Sequence, residues 1–170
     1  MSGELVNMTT FQFGEIQEIR FALSFMEELD KLQDTTIRII RCNVKNAMFC
    51  VDFKIKNGDE CFCYIELKTR QDIKPSYPTL PISHAKMQNI RDTIQIGKNK
   101  PTYLVWFDLK RSILYYTLYH EKFCDYSPFH DAKRNSYYIQ IHMDLITKSN
   151  MSEFVHHIVS QASQSSSHTS

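Results

Sequence analysis

Glycine is scarce in this sequence, four residues in 170, and none is arranged as a Gly-rich phosphate-binding loop. An excess of one charge is missing too. Twenty Lys and Arg against nineteen Asp and Glu leave a formal net charge of +1, far from the strong basic excess of a protein that coats nucleic acid non-specifically. Any nucleic-acid surface must therefore be local. No apolar run approaches the roughly 20 residues that cross a bilayer as a helix. Met1 to Thr10 lacks a basic start followed by an apolar stretch, so no secretory signal and no membrane partner are expected. The five Cys (Cys42, Cys50, Cys61, Cys63 and Cys124) are odd in number and lie in apolar, strand-like runs. That argues against a disulfide framework and for reduced core thiols in an intracellular protein, cytoplasmic or nuclear. No Ser-His-Asp or Cys-His arrangement has persuasive spacing.

What is present is an ordinary globular composition, 42% hydrophobic and 23% charged, with nine Tyr and eleven Phe favouring a β-containing core. The length suits one domain, expected over residues 1–159, with a disordered Ser- and Gln-rich tail over 160–170. Helical spacing of Ile16, Ile19, Phe21, Ala22, Phe25, Met26 and Leu29 predicts a first helix from Thr9 or Thr10 to about Leu32. Strands are expected over Ile37–Cys42, Ala47–Ile55 and Glu60–Lys68, the last two joined through Lys56-Asn57-Gly58-Asp59, a strong hairpin signal. A loop marked by Pro75, Pro78 and Pro81 follows. Ser83 then caps a helix from His84 to about Ile96. Strands over Tyr103–Asp108, Ser112–Tyr119 and Tyr137–Met143 come next, with a short helical or irregular piece over His120–Tyr126. Asn150 and Glu153 form a capping-box start to a terminal helix. This order predicts an α/β (α+β) domain with a central mixed sheet flanked by helices.

The run Cys61-Phe62-Cys63-Tyr64-Ile65 reads as a strand buried on both faces, and it ends in Glu66-Leu67-Lys68-Thr69-Arg70. Glu66 and Lys68 are two apart and share a face. An acid and a base emerging from a buried strand need a compensating partner. Taken alone, the pair reads as an ion pair at a strand end. Asp52 changes the balance, because it interrupts the apolar run of the preceding strand. Two carboxylates on adjacent strands suit a hard, oxygen-seeking cation such as Mg²⁺.

The pattern of Asp52, a turn, then Ile65-Glu66-Leu67-Lys68 resembles the PD-(D/E)xK nuclease superfamily, the restriction-endonuclease-like fold. Gly14-x-x-x-Glu18 resembles that family's N-terminal helix. Glu66 to Arg70, Tyr77-Pro78-Thr79 and Lys86 resemble a virus- and phage-associated branch. The match covers residues 14–108 and departs at Val51, where the family's pattern has a Pro that many members lack. The resemblance implies a Mg²⁺-dependent nuclease, with Mn²⁺ as substitute, that hydrolyses DNA (RNA in second place) with metal-activated water in repair, recombination or replication. It implies Asp52, Glu66 and the Leu67 carbonyl as metal ligands, Lys68 orienting water or stabilising charge, and Glu18 assisting from the first helix, with Glu15 the competing carboxylate. Arg70, Tyr77 and Lys86 are the candidate nucleic-acid contacts. A homodimer and an infected host cell fit this family. The alternative is a catalytically inactive nuclease-fold module that binds nucleic acid or serves assembly.

Geometry sets a condition. A plain two-residue turn at Asn57-Gly58 would put Asp52 opposite Cys63, on the other face from Glu66. A longer loop or a β-bulge is required to bring Asp52 onto the face of Glu66. Lesser constellations have simpler explanations. Cys61-x-Cys63 with His120-x-x-x-Cys124 reads as core packing rather than zinc. Lys74 and Arg91 read as surface charge, as do His156 and His157.

Overall fold

A computed structural model describes residues 10–33, 36–42, 51–95 and 99–166. The chain is α+β, with a mixed central sheet flanked by helices. Helix α1 spans Thr10–Leu32 and is followed by strands β1 (Ile37–Arg41), β2 (Phe53–Asn57) and β3 (Glu60–Arg70). Strand β4 (Thr79–Ser83) leads into helix α2 (His84–Ile90), which continues as a π-helical turn over Arg91–Gln95. Strands β5 (Thr102–Asp108) and β6 (Ile113–Leu118), a 3₁₀ turn (Glu121–Asp125), β7 (Phe129–Asp131), β8 (Ser136–His142), β9 (Thr147–Ser149) and helix α3 (Met151–Ser166) complete it. The six-stranded sheet has the order β1-β2-β3-β5-β6-β9, and only β3 and β5 in it are parallel. A second sheet of three antiparallel strands has the order β4-β8-β7.

The central sheet separates two cores. On one face Phe53, Ile55, Cys63, Ile65, Leu67 and Val105 meet Phe21, Phe25 and Leu29 of α1 and Phe154, Val155 and Ile158 of α3. On the other, Tyr64, Leu104 and Trp106 meet Met87 and Ile90 of α2 and Leu80, Ile82, Ile139 and Ile141 of the second sheet. Burial of β3 from Cys63 to Leu67 on both sides explains why its sequence shows no alternation.

Several boundaries move from those read in the sequence. The Pro-marked loop contains β4, and Pro81 stands inside it. A missing N–H is tolerated there because β4 is an edge strand, and the Pro81 carbonyl accepts a 2.9 Å bond from Trp106 Nε1. The terminal helix does not stop at Ser160. It continues to Ser166, and Ala162 is buried against the α1 side of the core. A Ser- and Gln-rich composition concealed that face. The capping box forms as expected, Glu153 N donating to Asn150 Oδ1 at 2.9 Å and Asn150 N to Glu153 Oε2 at 3.4 Å. Ser83 caps α2, accepting from Lys86 N. Strand β7, too short to show alternation, was not anticipated. Ala47–Cys50 of the expected second strand, and Ile96, lie outside the described residues. His157 is half-buried rather than a surface residue, its Nε2 3.2 Å from the Tyr103 hydroxyl. No helix among the described residues is long and apolar enough to cross a membrane.

Candidate functional site

The β2–β3 hairpin turns at Gly58-Asp59, with Asn57 paired to Glu60 and Lys56 to Cys61. Gly58 takes φ of 61°, a left-handed conformation that favours glycine. Continued unchanged, that register would set Asp52 opposite Ile65. It shifts between Ile55 and Lys56, so that Ile55 pairs with Cys63 and Phe53 with Ile65. Phe62 is the extra residue. One step further, Asp52 stands level with Glu66. The bulge that the sequence required is therefore present, and Asp52 reaches the face of Glu66 by it. The same bulge parts Cys61 from Cys63: Cys63 belongs to the α1-side core and Cys61 packs against the other. The two thiols do not share a face, contrary to the simple alternation of a strand. Cys42 and Cys63 are buried, and Cys61 and Cys124 are half-buried.

Glu66, Lys68 and Arg70 emerge on the α2 side of β3, in register with Leu104, Trp106 and Asp108 of β5. Glu66 is fully buried. Lys68 Nζ lies 2.6 Å from Glu66 Oε1, and Lys86 Nζ of α2 lies 3.2 Å from Oε2. Each Glu66 oxygen is thus faced by an ammonium group, one from its own strand and one from α2. Burial first, and then the neighbouring Asp52 charge, pushes the Glu66 carboxyl up to about 7 against the pull of Lys68 and Lys86. Burial lowers the Lys68 ammonium, but Glu66 and Asp52 outweigh it and the net shift is upward. Lys68 is thus held charged.

Asp52 Oδ2 accepts a 2.7 Å hydrogen bond from Leu67 N, between Glu66 and Lys68. The Asp52 amide donates to Ile65 O at 3.2 Å, and its carbonyl accepts from Cys42 N at 2.7 Å. Backbone and side chain of Asp52 are both fixed. The Leu67 side chain packs in the opposite core.

Glu15 and Glu18 both turn to Arg41 at the end of β1, Glu18 Oε2 at 2.6 Å from Nε and Glu15 Oε1 at 3.3 Å from Nη2. Burial raises the Glu18 carboxyl; Arg41 opposes this and the Asp52 charge adds to it. Of the two helix carboxylates, Glu18 is the one that senses both Asp52 and Arg41. Arg41 is a site neighbour that the sequence did not single out, since a strand-end arginine carries no local signal.

The remaining candidates divide. Lys86 joins the site through Glu66. Arg70 is half-buried, and its one described bond is to Thr69 O at 3.1 Å. Burial, followed by the nearby Arg134 charge, lowers its guanidinium. Arg134 and Tyr138, from the β7–β8 hairpin, are therefore its neighbours, far away in sequence. Tyr77 is 44% exposed on the loop before β4, and no described contact brings it to Glu66. Arg91 pairs with Asp92 at 2.8 Å, as a surface charge would.

Among the described residues no three of His, Cys, Asp and Glu gather as a ready metal cluster. Two carboxylates, Asp52 and Glu66, nevertheless meet at one face, and both are hard oxygen donors of the kind a divalent cation takes, Glu66 being charge-balanced by Lys68 and Lys86. The donor set fits Mg²⁺ or Mn²⁺, with other positions left to backbone oxygen, solvent and ligand. No family model matches the chain, and no curated protein matches it either.

Proposed function

We propose that the protein is a metal-dependent nuclease of the restriction-endonuclease-like type, hydrolysing phosphodiester bonds in DNA. The observation that carries it is the delivery of Asp52 and Glu66 to one face by the Phe62 bulge, beside a charged Lys68. The order of one helix, an antiparallel β1-β2-β3 meander, a helix and a strand parallel to β3 is in keeping with it.

Asp52 and Glu66 would hold the ion, with the Leu67 carbonyl as the further ligand that the family resemblance implies. When bound, a divalent cation supplies charge neutralisation and Lewis-acid polarisation at the phosphate. The chain's own residues do the rest. Held as an ammonium, Lys68 cannot accept a proton. It acts as a donor, orienting the attacking water or stabilising the phosphorane-like charge. Lys86, from the opposite side of Glu66, adds positive charge that offsets the two carboxylates before the ion arrives. The Leu67 N–H aims Asp52 and limits its rotation. Arg41 restrains Glu18 close to Asp52, ready to join the ligand set if that ion pair opens. Arg70, with Lys86, would meet the backbone phosphates.

The test is cleavage of branched, single-stranded and duplex DNAs in Mg²⁺ or Mn²⁺. Activity is expected in the wild type and absent, with the fold kept, in Glu66→Ala. Metal-dependent cleavage retained by Glu66→Ala would falsify the assignment.

A further inference from the structure

Helix α1 presents a second face beside the one in the core. Phe13, Gln17, Arg20 and Ser24 follow at intervals of four, three and four, so they form one stripe. That stripe lines a cleft of about 560 Å³, bordered across from α1 by Gln71, just after β3, and Phe107, near the end of β5. The volume falls in the range of about 300–1,000 Å³ found for small-molecule sites. The cleft lies at the carboxyl ends of the two parallel strands, where open α/β sheets place their ligands.

Gln17 is the informative residue. It is 3% exposed, and its Oε1 has no hydrogen-bond partner among the described residues. A buried amide left unsatisfied is disfavoured, and an apolar side chain of similar size would suit a purely structural position better. The amide offers an acceptor and a donor side by side, which matches the edge of a nucleobase. Phe13 and Phe107 bring aromatic rings to the same cleft, and Arg20 brings a cation. Gln17 is also the immediate neighbour of Glu18 on α1.

We propose that this cleft is a nucleobase pocket, receiving one unpaired base of the DNA strand on the Gln17 amide with Phe13 and Phe107 as stacking surfaces. An unpaired base is required because pairing would occupy the edge that Gln17 reads. The proposal rests on the nuclease reading for the identity of its ligand, and its test is separable from cleavage.

Fluorescence anisotropy of the full chain in EDTA, with a labelled single-stranded oligodeoxynucleotide and with its duplex, measures binding where no metal-dependent cleavage can occur. The wild type is expected to prefer the single strand. Gln17→Leu and Phe13→Ala should each weaken single-strand binding by about tenfold or more. Gln17→Leu should melt at the same temperature as the wild type or higher, since it removes an unsatisfied amide. If Gln17→Leu does not fold, Phe13→Ala and Arg20→Ala decide the matter. Single-strand affinity unchanged in Gln17→Leu and Phe13→Ala overturns the pocket, as does a wild type with no single-strand binding. Lost single-strand binding in these variants, in a wild type that never cuts DNA in Mg²⁺, would uphold the pocket and sink the nuclease. Cleavage by a wild type whose variants bind normally would do the reverse.

Discussion

The Asp52 carboxylate accepts a 2.7 Å hydrogen bond from the amide of Leu67, so the acid of one strand is clamped to the backbone that carries Glu66 and Lys68. The bond has two separable functions, orientation and charge. Asp52→Asn keeps an acceptor for Leu67 N and removes the charge. It should fold with near wild-type stability yet lose the rise in melting temperature that Mg²⁺ or Mn²⁺ gives the wild type. Asp52→Ala leaves the Leu67 amide without its acceptor and should cost a further 1–3 kcal/mol or so. Thermal melts of both variants with and without the ion check this. An undiminished metal response in Asp52→Asn would remove Asp52 from the ligand set.

Glu66 makes stability depend on pH. Its carboxyl rises from 4.5 in the unfolded reference to about 7 in the fold, chiefly by burial. The folded state therefore holds the proton more tightly than the unfolded one. The resulting stabilisation is complete below about pH 4.5 and is lost as pH climbs to about 7, a change of roughly 3 kcal/mol at most. Glu66→Gln does not titrate. In metal-free buffer the wild type should lose stability relative to Glu66→Gln across that window, measured by denaturant unfolding at each pH. Parallel profiles for the two proteins would show that Glu66 keeps an ordinary carboxyl.

The site is predicted to depend on which residues pair beyond the bulge and not on the Phe62 side chain. Deleting Phe62 leaves Lys56 opposite Cys61 and Ile55 opposite Cys63, so Asp52 stays level with Glu66 on a strand that no longer bulges. A folded deletion variant, judged by circular dichroism, should keep the metal-induced rise in melting temperature. Loss of that rise in a folded variant would show that the bulge itself, beyond the register it sets, shapes the site.

How much of this was legible beforehand follows from where the signals lie. The hairpin, the capping box and the first helix were readable because each is encoded within a few residues: Gly58, the Asn150–Glu153 pair, and the spacing of Phe21, Phe25 and Leu29. The need for a bulge was legible from parity alone, but its place at Phe62 was not, because an apolar run has no marker for the extra residue. Strand β4 was hidden by Pro81, whose missing N–H matters only in an interior strand, and edge position is a property of the assembled sheet. The Arg41–Glu18 pair, the Lys86–Glu66 pair and the nearness of Arg134 to Arg70 span 23, 20 and 64 positions in the chain. Contacts of that kind belong to topology. No local pattern announces them.

The two lysines at Glu66 should prove unequal. Lys68 Nζ lies 2.6 Å from one carboxylate oxygen, and it shares a strand face with Glu66 whatever α2 does. Lys86 reaches the other oxygen at 3.2 Å from a separate helix. Under the nuclease reading, Lys68 faces the reacting phosphate and Lys86 tempers the charge behind it. Lys68→Met should lower kcat by about 10²-fold or more, in line with the loss of a preorganised charged donor. Lys86→Met should cost about tenfold and act mainly on metal affinity, because Glu66 then loses one of two compensating charges while Lys68 remains. Single-turnover cleavage at saturating Mg²⁺ separates them: excess ion should rescue Lys86→Met and leave Lys68→Met inactive. Rescue of both by added metal would demote Lys68 to a charge-balancing residue, and rescue of neither would place Lys86 beside it in contact with substrate.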